Sequence, residues 1–465
     1  MRRARSLPAA PAAPKRARAV WCAALSATCV ALVLAVSCGG GSAGVASRHG
    51  EPGAGPAPAA SSAAPPAASA PPAVEQELPD PIDRDPPEPP EAPDAKVQPS
   101  PPALGLAQQR FAYAFHRELA SKPSGSTVFS PLSLHLALTM LYGAAAGETA
   151  AELRRALALP DDPMEPHGWY RSFSAWSRRD RAGGDKGLRL GNRLWTIGVQ
   201  PEYRELLAGH YGAGFSPLFV GDPKARIDRW IAWVTRGRIK DLPFSAGPGT
   251  VAVLVNALLL DLAWASPFSE KHTKPGPFRV DFAREEPREL MHGGMVGRYA
   301  SEGGVRYASL PYKPVGRASW RLLLAVPDGP GQMGEAERRA IGETSATLAT
   351  LRPAKLRLVL PRFRVEWKDT VRPILHRLGV SQAFDPERAQ LLGLQPSGHV
   401  SDVVHGASIE VKESGTIAAA ATVIVVKGIS DDGVPTVELA VDRPFFYALV
   451  DEATGVVVVA GRYTG

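Results

Sequence analysis

A run of twelve residues near the C-terminus limits most strongly what this chain can become. Gly415 to Val426 reads GTIAAAATVIVV and holds no charge, no proline and no large aromatic. It sits inside a longer stretch, Ile409–Ser430, with Glu413 just ahead of it and a polar tail from Lys427 behind it. Strand side chains alternate between faces, so Thr416, Ala418, Ala420, Thr422, Ile424 and Val426 would share one face of such a strand. Those residues suit the centre of a sheet. Taken alone, the stretch also fits an ordinary core strand or a short alanine helix capped by Thr416.

The charge of the chain says little about partners until it is placed. The formal net charge is +7. Residues 1–37 carry Arg2, Arg3, Arg5, Lys15, Arg16 and Arg18 and no acid, and the rest of the chain is left with +1. The basic balance therefore belongs to a targeting segment, and no nucleic-acid partner is expected. All three cysteines, Cys22, Cys29 and Cys38, lie in the leader or at its end. The remainder can form no disulfide framework and has to hold together by packing.

Residues 1–18 are basic, and residues 19–37, AVWCAALSATCVALVLAVS, are apolar and end in small residues. That order is the plan of a secretory signal peptide. The end, AVSC followed by GGG, resembles a bacterial lipobox with Cys38 as the lipidated first residue. Ala35 stands where leucine is usual. A plain cleaved signal or an uncleaved anchor are the alternatives, since the apolar run is near the minimum for a span. Two or more acyl chains on Cys38 would give stable membrane attachment through the N-terminal lipid.

Residues 38–103 are expected to be a disordered Pro/Ala-rich linker. Seventeen of the chain's 45 prolines lie between Pro52 and Pro102, and residues 51–100 hold nine acids against two bases. Such a segment cannot bury enough apolar surface to order itself. Extended by proline at about 3.1 Å per residue, it would act as a stalk reaching roughly 200 Å.

The folded domain is expected over 104–465. LAQQRFAYAFHREL places Leu106, Phe111, Phe115 and Leu119 at near-helical spacing. A second helix is expected from Pro131 to about Ala145, with proline just inside its start and glycine near its end. A third restarts after Gly147. From Gly187 onward strands dominate: LRLGNRLW, VAVLVNALLL, LRLVLPRFRV, VSDVVHGASIEV and FFYALVDEATGVVVVAGRY. ARIDRWIAWVTRGRIKDL and DTVRPILHRLGV read as helices between them. Helices first and strands later make an α+β class with large, mostly antiparallel sheets. Arg178, Arg179, Arg181 and Lys186 allow a polyanion site, although a solvated helix end explains them more simply.

Catalytic signatures are missing. Within 104–465 no H-E-x-x-H, no phosphate-binding G-x-x-x-x-G-K-[ST], no G-x-S-x-G and no S-x-x-K with K-T-G occurs. The folded part has no cysteine nucleophile, and its histidines are scattered without a metal-binding pair. No metal and no cofactor are expected.

Several blocks together resemble the serpin family over nearly all of residues 103–465. VFSPLSLHLALTMLYGAAAGETAAEL is similar to the segment around the family's helix B. NRLW, WVTRGRIKDL and VLVNALLLDLAWASPF follow in family order. LPRFRVE resembles the sixth strand of the main sheet, VSDVVHGASIEVKESGTIAAAAT its fifth strand and the hinge of the reactive-centre loop, and DRPFFYALVDEATGVVVVAGRYT the closing block. The resemblance implies a serpin fold, with large mostly antiparallel sheets, about nine helices and an exposed reactive-centre loop.

It also implies a mechanism. A target protease attacks the loop and forms an acyl-enzyme, and the cut loop then enters the main sheet and carries the protease with it. Stored strain drives the step. Core-facing hinge residues must then be small or apolar, since a buried charge would cost several kcal/mol. By the resemblance the hinge comprises Glu413, Gly415, Thr416, Ala418, Ala419, Ala420, Ala421 and Thr422. Ser414 stands where the family usually has a second acid. Family spacing from Glu413 puts the reactive bond at Ile429–Ser430, with Lys427 as the second choice. Isoleucine would suit proteases of elastase or subtilisin type, and Lys427 would suit trypsin-like enzymes.

Ser130, Ser133, Asn256 and His405 match the family's polar cluster where the sheet opens, and Trp264, Arg362 and Glu413 match the place where insertion begins. Plain core packing is an alternative for Trp264 and His405. Arg362 and Glu413 are expected within salt-bridge reach. The chain is thus expected to be no enzyme but an exported, monomeric serine-type endopeptidase inhibitor. It would be membrane-anchored, periplasmic or extracellular, and would form a covalent complex with a serine or cysteine protease. The alternative is a non-inhibitory serpin-fold lipoprotein that serves as a binding or structural surface.

Overall fold

The structure, a computed structural model, describes residues 33–37, 102–121, 125–180, 187–245, 250–315, 318–395, 398–416 and 434–465. The linker, Cys38, the hinge residues Ala418, Ala419, Ala420, Ala421 and Thr422, and the candidate bond residues Lys427, Ile429 and Ser430 lie outside the described residues, as do the side chains of Arg178 and Arg179.

Strand β1, Val33–Ser37, comes first, followed by α1, Pro102–Leu119, the short β2, Thr127–Phe129, and α2, Pro131–Tyr142. The Ser130 hydroxyl caps α2 by accepting from the Ser133 N–H at 3.2 Å, and Pro131 opens the first turn. All twelve residues of α2 are buried, as befits a helix apolar on every side. It ends at Tyr142, short of the expected Ala145. Ala144 and Ala145 turn back onto Leu141 and Tyr142, and the Ala146 N–H leaves the helix for the Gln390 carbonyl.

In α1, Leu104, Phe111 and Phe115 are buried, whereas Leu106 is 52% exposed. The expected stripe starts two residues late, at Leu106 instead of Leu104. Five residues separate Leu106 from Phe111, and that is about 140° around a helix.

Next come α3, Gly147–Ala156, α4, Glu165–Asp180, β3, Gly187–Thr196, α5, Pro201–Tyr211, β4, Gly214–Pro217, and α6, Pro223–Val234. The long β5 spans Ala252–Ala263. Then follow β6, Thr273–Val280, β7, Arg284–Glu302, β8, Val305–Pro311, β9, Trp320–Pro327, α7, Met333–Glu337, and α8, Thr344–Thr350. The chain closes with β10, Arg352–Pro361, β11, Phe363–Thr370, α9, Arg372–Arg377, β12, His399–Lys412, β13, Gly415–Thr416, β14, Thr436–Ala440, β15, Phe445–Asp451, and β16, Val457–Tyr463.

The result is an α+β molecule with two sheets. The main, seven-stranded sheet runs β4-β3-β5, then β1 and β13 in one slot, then β12 and β11. The second has nine strands in the order β14-β10-β7-β8-β9-β15-β16-β2, with β6 on β7. Among the described residues, only β3–β4 and β10–β14 pair in parallel. The run LRLVLPRFRV is divided between the two sheets: β10 lies in the second, β11 in the main one, and Arg362 bridges them with its N–H on the Glu289 carbonyl. Helix α2 backs the main sheet, while α6 lays Ile227, Trp230, Ile231 and Val234 over Trp195, Val253 and Val255.

Candidate functional site

The main sheet is parted down its middle. Among the described residues, β5 and β12 share no ladder with each other. At one end of the slot between them lies β13, with Gly415 opposite Ala263 and Lys412, and Thr416 opposite Leu262 and Val411. At the other end lies β1, with Val33, Leu34, Ala35 and Val36 opposite Val255, Leu254, Val253 and Ala252. On its second edge β1 meets Val403, Val400 and His399 through Leu34, Val36 and Ser37. Between the two inserts, the slot is an open stretch flanked by Asn256–Asp261 on β5.

The upper end is held by a dense set of contacts. Glu413 is 4% exposed. Arg362 Nη2 lies 2.5 Å and Nε 3.2 Å from Glu413 Oε1, and the Thr273 hydroxyl donates to the same oxygen at 2.5 Å. Burial works to raise the Glu413 pKa, but the hydrogen bonds from Arg362 and Thr273 prevail and hold the carboxyl below its usual range. Trp264 is fully buried, stacks on Tyr312 at 4.3 Å and donates its indole N–H to the Lys412 carbonyl at 2.8 Å. The Tyr312 hydroxyl and the Thr416 hydroxyl are 2.5 Å apart.

Gly415 is required here by geometry. Its φ is +152°, and a Cβ would stand 2.0 Å from the Leu262 carbonyl oxygen. Only glycine takes this backbone without strain and lets two strands approach so closely.

Below β13 the slot opens into a cavity of about 60 Å³. Ser130, Ser133, Asn256 and His405 all line it, together with Thr416. His405 Nε2 accepts the Ser130 N–H at 2.9 Å, which leaves Nδ1 carrying the ring proton. Burial pushes the His405 pKa down to about 3, so the ring is neutral near pH 7. Asn256 donates to the Asn192 side-chain oxygen at 2.8 Å, and Asn192 in turn donates to the Tyr211 carbonyl. His405 Nδ1 and Asn256 Oδ1 are buried and have no hydrogen-bond partner among the described residues. One is a donor and the other an acceptor, and both belong to residues lining the gap.

The structure thus brings Trp264, Arg362, Glu413, Gly415 and Thr416 together at one end of the slot and Ser130, Ser133, Asn256 and His405 along it. Sequence reasoning missed Tyr312, Thr273 and Asn192, which carry no local motif and are recruited across sequence distance. It also missed the place of Val33–Ser37, whose apolar, β-branched text was read only as export signal. Among the described residues no three His, Cys, Asp or Glu side chains group as metal ligands would.

The family model described as serpin (serine protease inhibitor) matches residues 106–465. A serpin-like protein of Thermococcus kodakarensis is 29% identical over 76% of this chain and 83% of its own. Leukocyte elastase inhibitor A of Mus musculus is 30% identical over 77% of this chain and 98% of its own. Among solved structures, cleaved Serpin 42Da covers 78% of this chain and 98% of its own at a TM-score of 0.67 and 24% identity, and native Tengpin, a thermophilic serpin, covers 78% and 94% at 0.67 and 22%. At those identities the solved structures speak for the fold alone.

Proposed function

The chain belongs to the serpin family, and from that premise we propose that it inhibits a protease by trapping it with a loop that enters the parted main sheet. The observation that carries this reading is the register of β13. Gly415 stands opposite Ala263 and Thr416 opposite Leu262, so the loop has already taken its first two rungs. Continued one residue per rung, Gly415–Val426 spans the twelve residues of β5 from Ala263 to Ala252. The first charge, Lys427, falls just past the end. The uncharged run thus has the length of the strand it would pair with.

The polar residues of the run support the same reading. In this register Thr422 comes opposite Asn256 on β5 and His405 on β12. Facing residues share one side of a sheet, so its hydroxyl could accept from His405 Nδ1–H and donate to Asn256 Oδ1. The two buried groups without partners would both be satisfied on insertion.

The chemistry follows. The protease serine adds to the Ile429 carbonyl, the Ser430 amine leaves with a proton, and an acyl ester remains on Ile429. Insertion has to outrun water attack on that ester. New ladder hydrogen bonds at roughly 1 kcal/mol apiece over a dozen rungs supply the drive. A branched aliphatic residue before the bond, together with a relative named leukocyte elastase inhibitor, supports a serine protease of elastase or subtilisin type as target. The basic, apolar leader ending at Cys38 supports an exported lipoprotein that carries this domain on its proline-rich stalk.

The test is to mix the protein, with residues 1–37 removed, with elastase, subtilisin and trypsin. The expected outcome is an SDS-stable complex with one of the first two, and mass spectrometry then locates the acylated residue at Ile429. Clean cleavage of the loop with no complex would reverse the reading and leave a non-inhibitory serpin-fold surface protein.

A further inference from the structure

The lower third of the slot is occupied by the chain's own leader, and the residues it excludes can be named. Val33–Ser37 pairs antiparallel with β5 on one edge and with β12 on the other. It therefore supplies the ladder partners that both strands need along Ala252–Val255 and His399–Val403. The rungs facing it on β5 are Ala252, Val253, Leu254 and Val255, all buried. On β12 they include Val400 and Val403, also buried. The site accepts an extended, uncharged apolar peptide.

The loop's own register runs into the same rungs. Carried down from Thr416 opposite Leu262, the loop brings Ile417–Thr422 past Asp261–Asn256, which is the open stretch of the slot. The next rung belongs to Val423, opposite Val255, where Val33 already stands. Ile424 falls opposite both Leu254 and Val403, which are the two partners of Leu34. On β5, Val425 and Val426 coincide with Ala35 and Val36 as well. The two segments run in the same direction, and their texts match, VLAV in the leader and VIVV in the loop.

From this coincidence we infer that Val33–Ser37 is a built-in competitor for the lower third of the insertion slot, holding the leader-bearing chain below full loop insertion. Six rungs, from Ile417 to Thr422, stay open to the loop, and the four after them do not. A chain without residues 1–37 has the whole slot available. The lipobox-like end places Cys38 directly after the strand, so a cut before Cys38 would remove the competitor entire. The inference rests on the trapping mechanism proposed above for its consequence, but the docking itself does not.

The full-length chain and its Ala35→Pro variant test it. Proline removes a ladder N–H from the middle of β1 and cannot sit in a central strand. Ala35 belongs to the leader strand, so the substitution changes no side chain within 104–465. Amide hydrogen exchange of residues 33–37 reads the docking: these amides should exchange about a hundredfold slower than an unstructured peptide in the native chain and at the unstructured rate in the variant. Unstructured rates in both would overturn the inference. Trapping reads the competition: the variant should convert about tenfold more protease to SDS-stable complex per loop cleaved. Equal yields with a docked leader would also overturn it. If the chain lacking residues 1–37 traps no protease, the inhibitory reading fails by itself. The competition is then decided by nicking the loop in both full-length chains, where a larger rise in melting temperature in Ala35→Pro supports it and an equal rise refutes it.

Discussion

Thr416 is the residue at which the loop commits to the sheet. It is 2% exposed, its hydroxyl meets Tyr312, and Tyr312 is itself stacked on Trp264. An arginine there would have to leave its charge in this apolar stack or pull the hinge out of the slot, and the first option costs several kcal/mol. Thr416→Arg should therefore turn an inhibitor into a substrate: loop cleavage at an undiminished rate, with complex formation down by at least about tenfold, read on SDS gels. Undiminished trapping by that variant would show that the hinge does not need this rung. The importance of Thr416, Gly415 and Glu413 was legible in the sequence, because burial of a hinge admits only small or paired residues. Their partners were not. Thr273 meets Glu413 at a sequence separation of 140 and Tyr312 meets Thr416 at one of 104, with no motif to announce either. Arg362 could be matched to Glu413 by resemblance, but its position between the two sheets depends on a strand break that reading LRLVLPRFRV as one run conceals.

At the scale of elements, insertion would turn the run Gly415–Val426 into a central strand, and that has a thermodynamic signature. In the Ala35→Pro chain, nicking the loop should raise the melting temperature by on the order of 20 °C, as roughly 1 kcal/mol per new rung implies for a domain of this size. Thr422→Val on the same background should give back part of that gain, about 1–3 kcal/mol, because His405 Nδ1 and Asn256 Oδ1 would be sealed in without a partner. Calorimetry before and after nicking measures both, and an unchanged melting temperature in the nicked chain would refute insertion. Apolar and β-branched runs announced β3, β5, β10, β11, β12, β15 and β16 but not β6 to β9 or β14, while the start of α2 was readable, where Ser130 and Pro131 give cap and first turn. Helix phase was less so: Leu106 fits an apolar stripe by type but faces solvent, because Leu104 sets the phase. The docking of β1 could not be read, since export and strand pairing ask for the same apolar text.

For the whole molecule, the absence of cysteine from the folded part leaves packing and buried polar networks to hold a parted sheet, and that makes the fold sensitive to acid. Among the described residues, three buried histidines in such networks have strongly lowered pKa values. His405 accepts from Ser130 beside the slot, His135 lies 2.7 Å from the Tyr170 hydroxyl and 3.0 Å from the Leu157 carbonyl, and His167 lies 2.6 Å from the Tyr211 hydroxyl. Burial lowers all three, to about 3 for His405 and about 4 for His135 and His167; the Leu157 contact works the other way for His135, and His210 adds to the lowering for His167. In the unfolded chain each regains a pKa near 6.5, so below that pH the unfolded state binds more protons than the folded one. Stability is then complete above about pH 6.5 and falls with acidification by about 1.4 kcal/mol per pH unit for each histidine, levelling only as the folded values near 4 and 3 are passed. Glu413 and Asp442, both held below the usual carboxylate range, add to the loss only below about pH 4.5. The interval between pH 6.5 and 5 therefore isolates the histidines. Urea midpoints should drop steeply across it, and His405→Gln should remove about a third of the slope, since glutamine can keep an acceptor near the Ser130 N–H without taking up a proton. A midpoint that stays level from pH 7 to pH 5 would mean that these rings are not sealed from water, and with them the dry slot into which the loop is proposed to move.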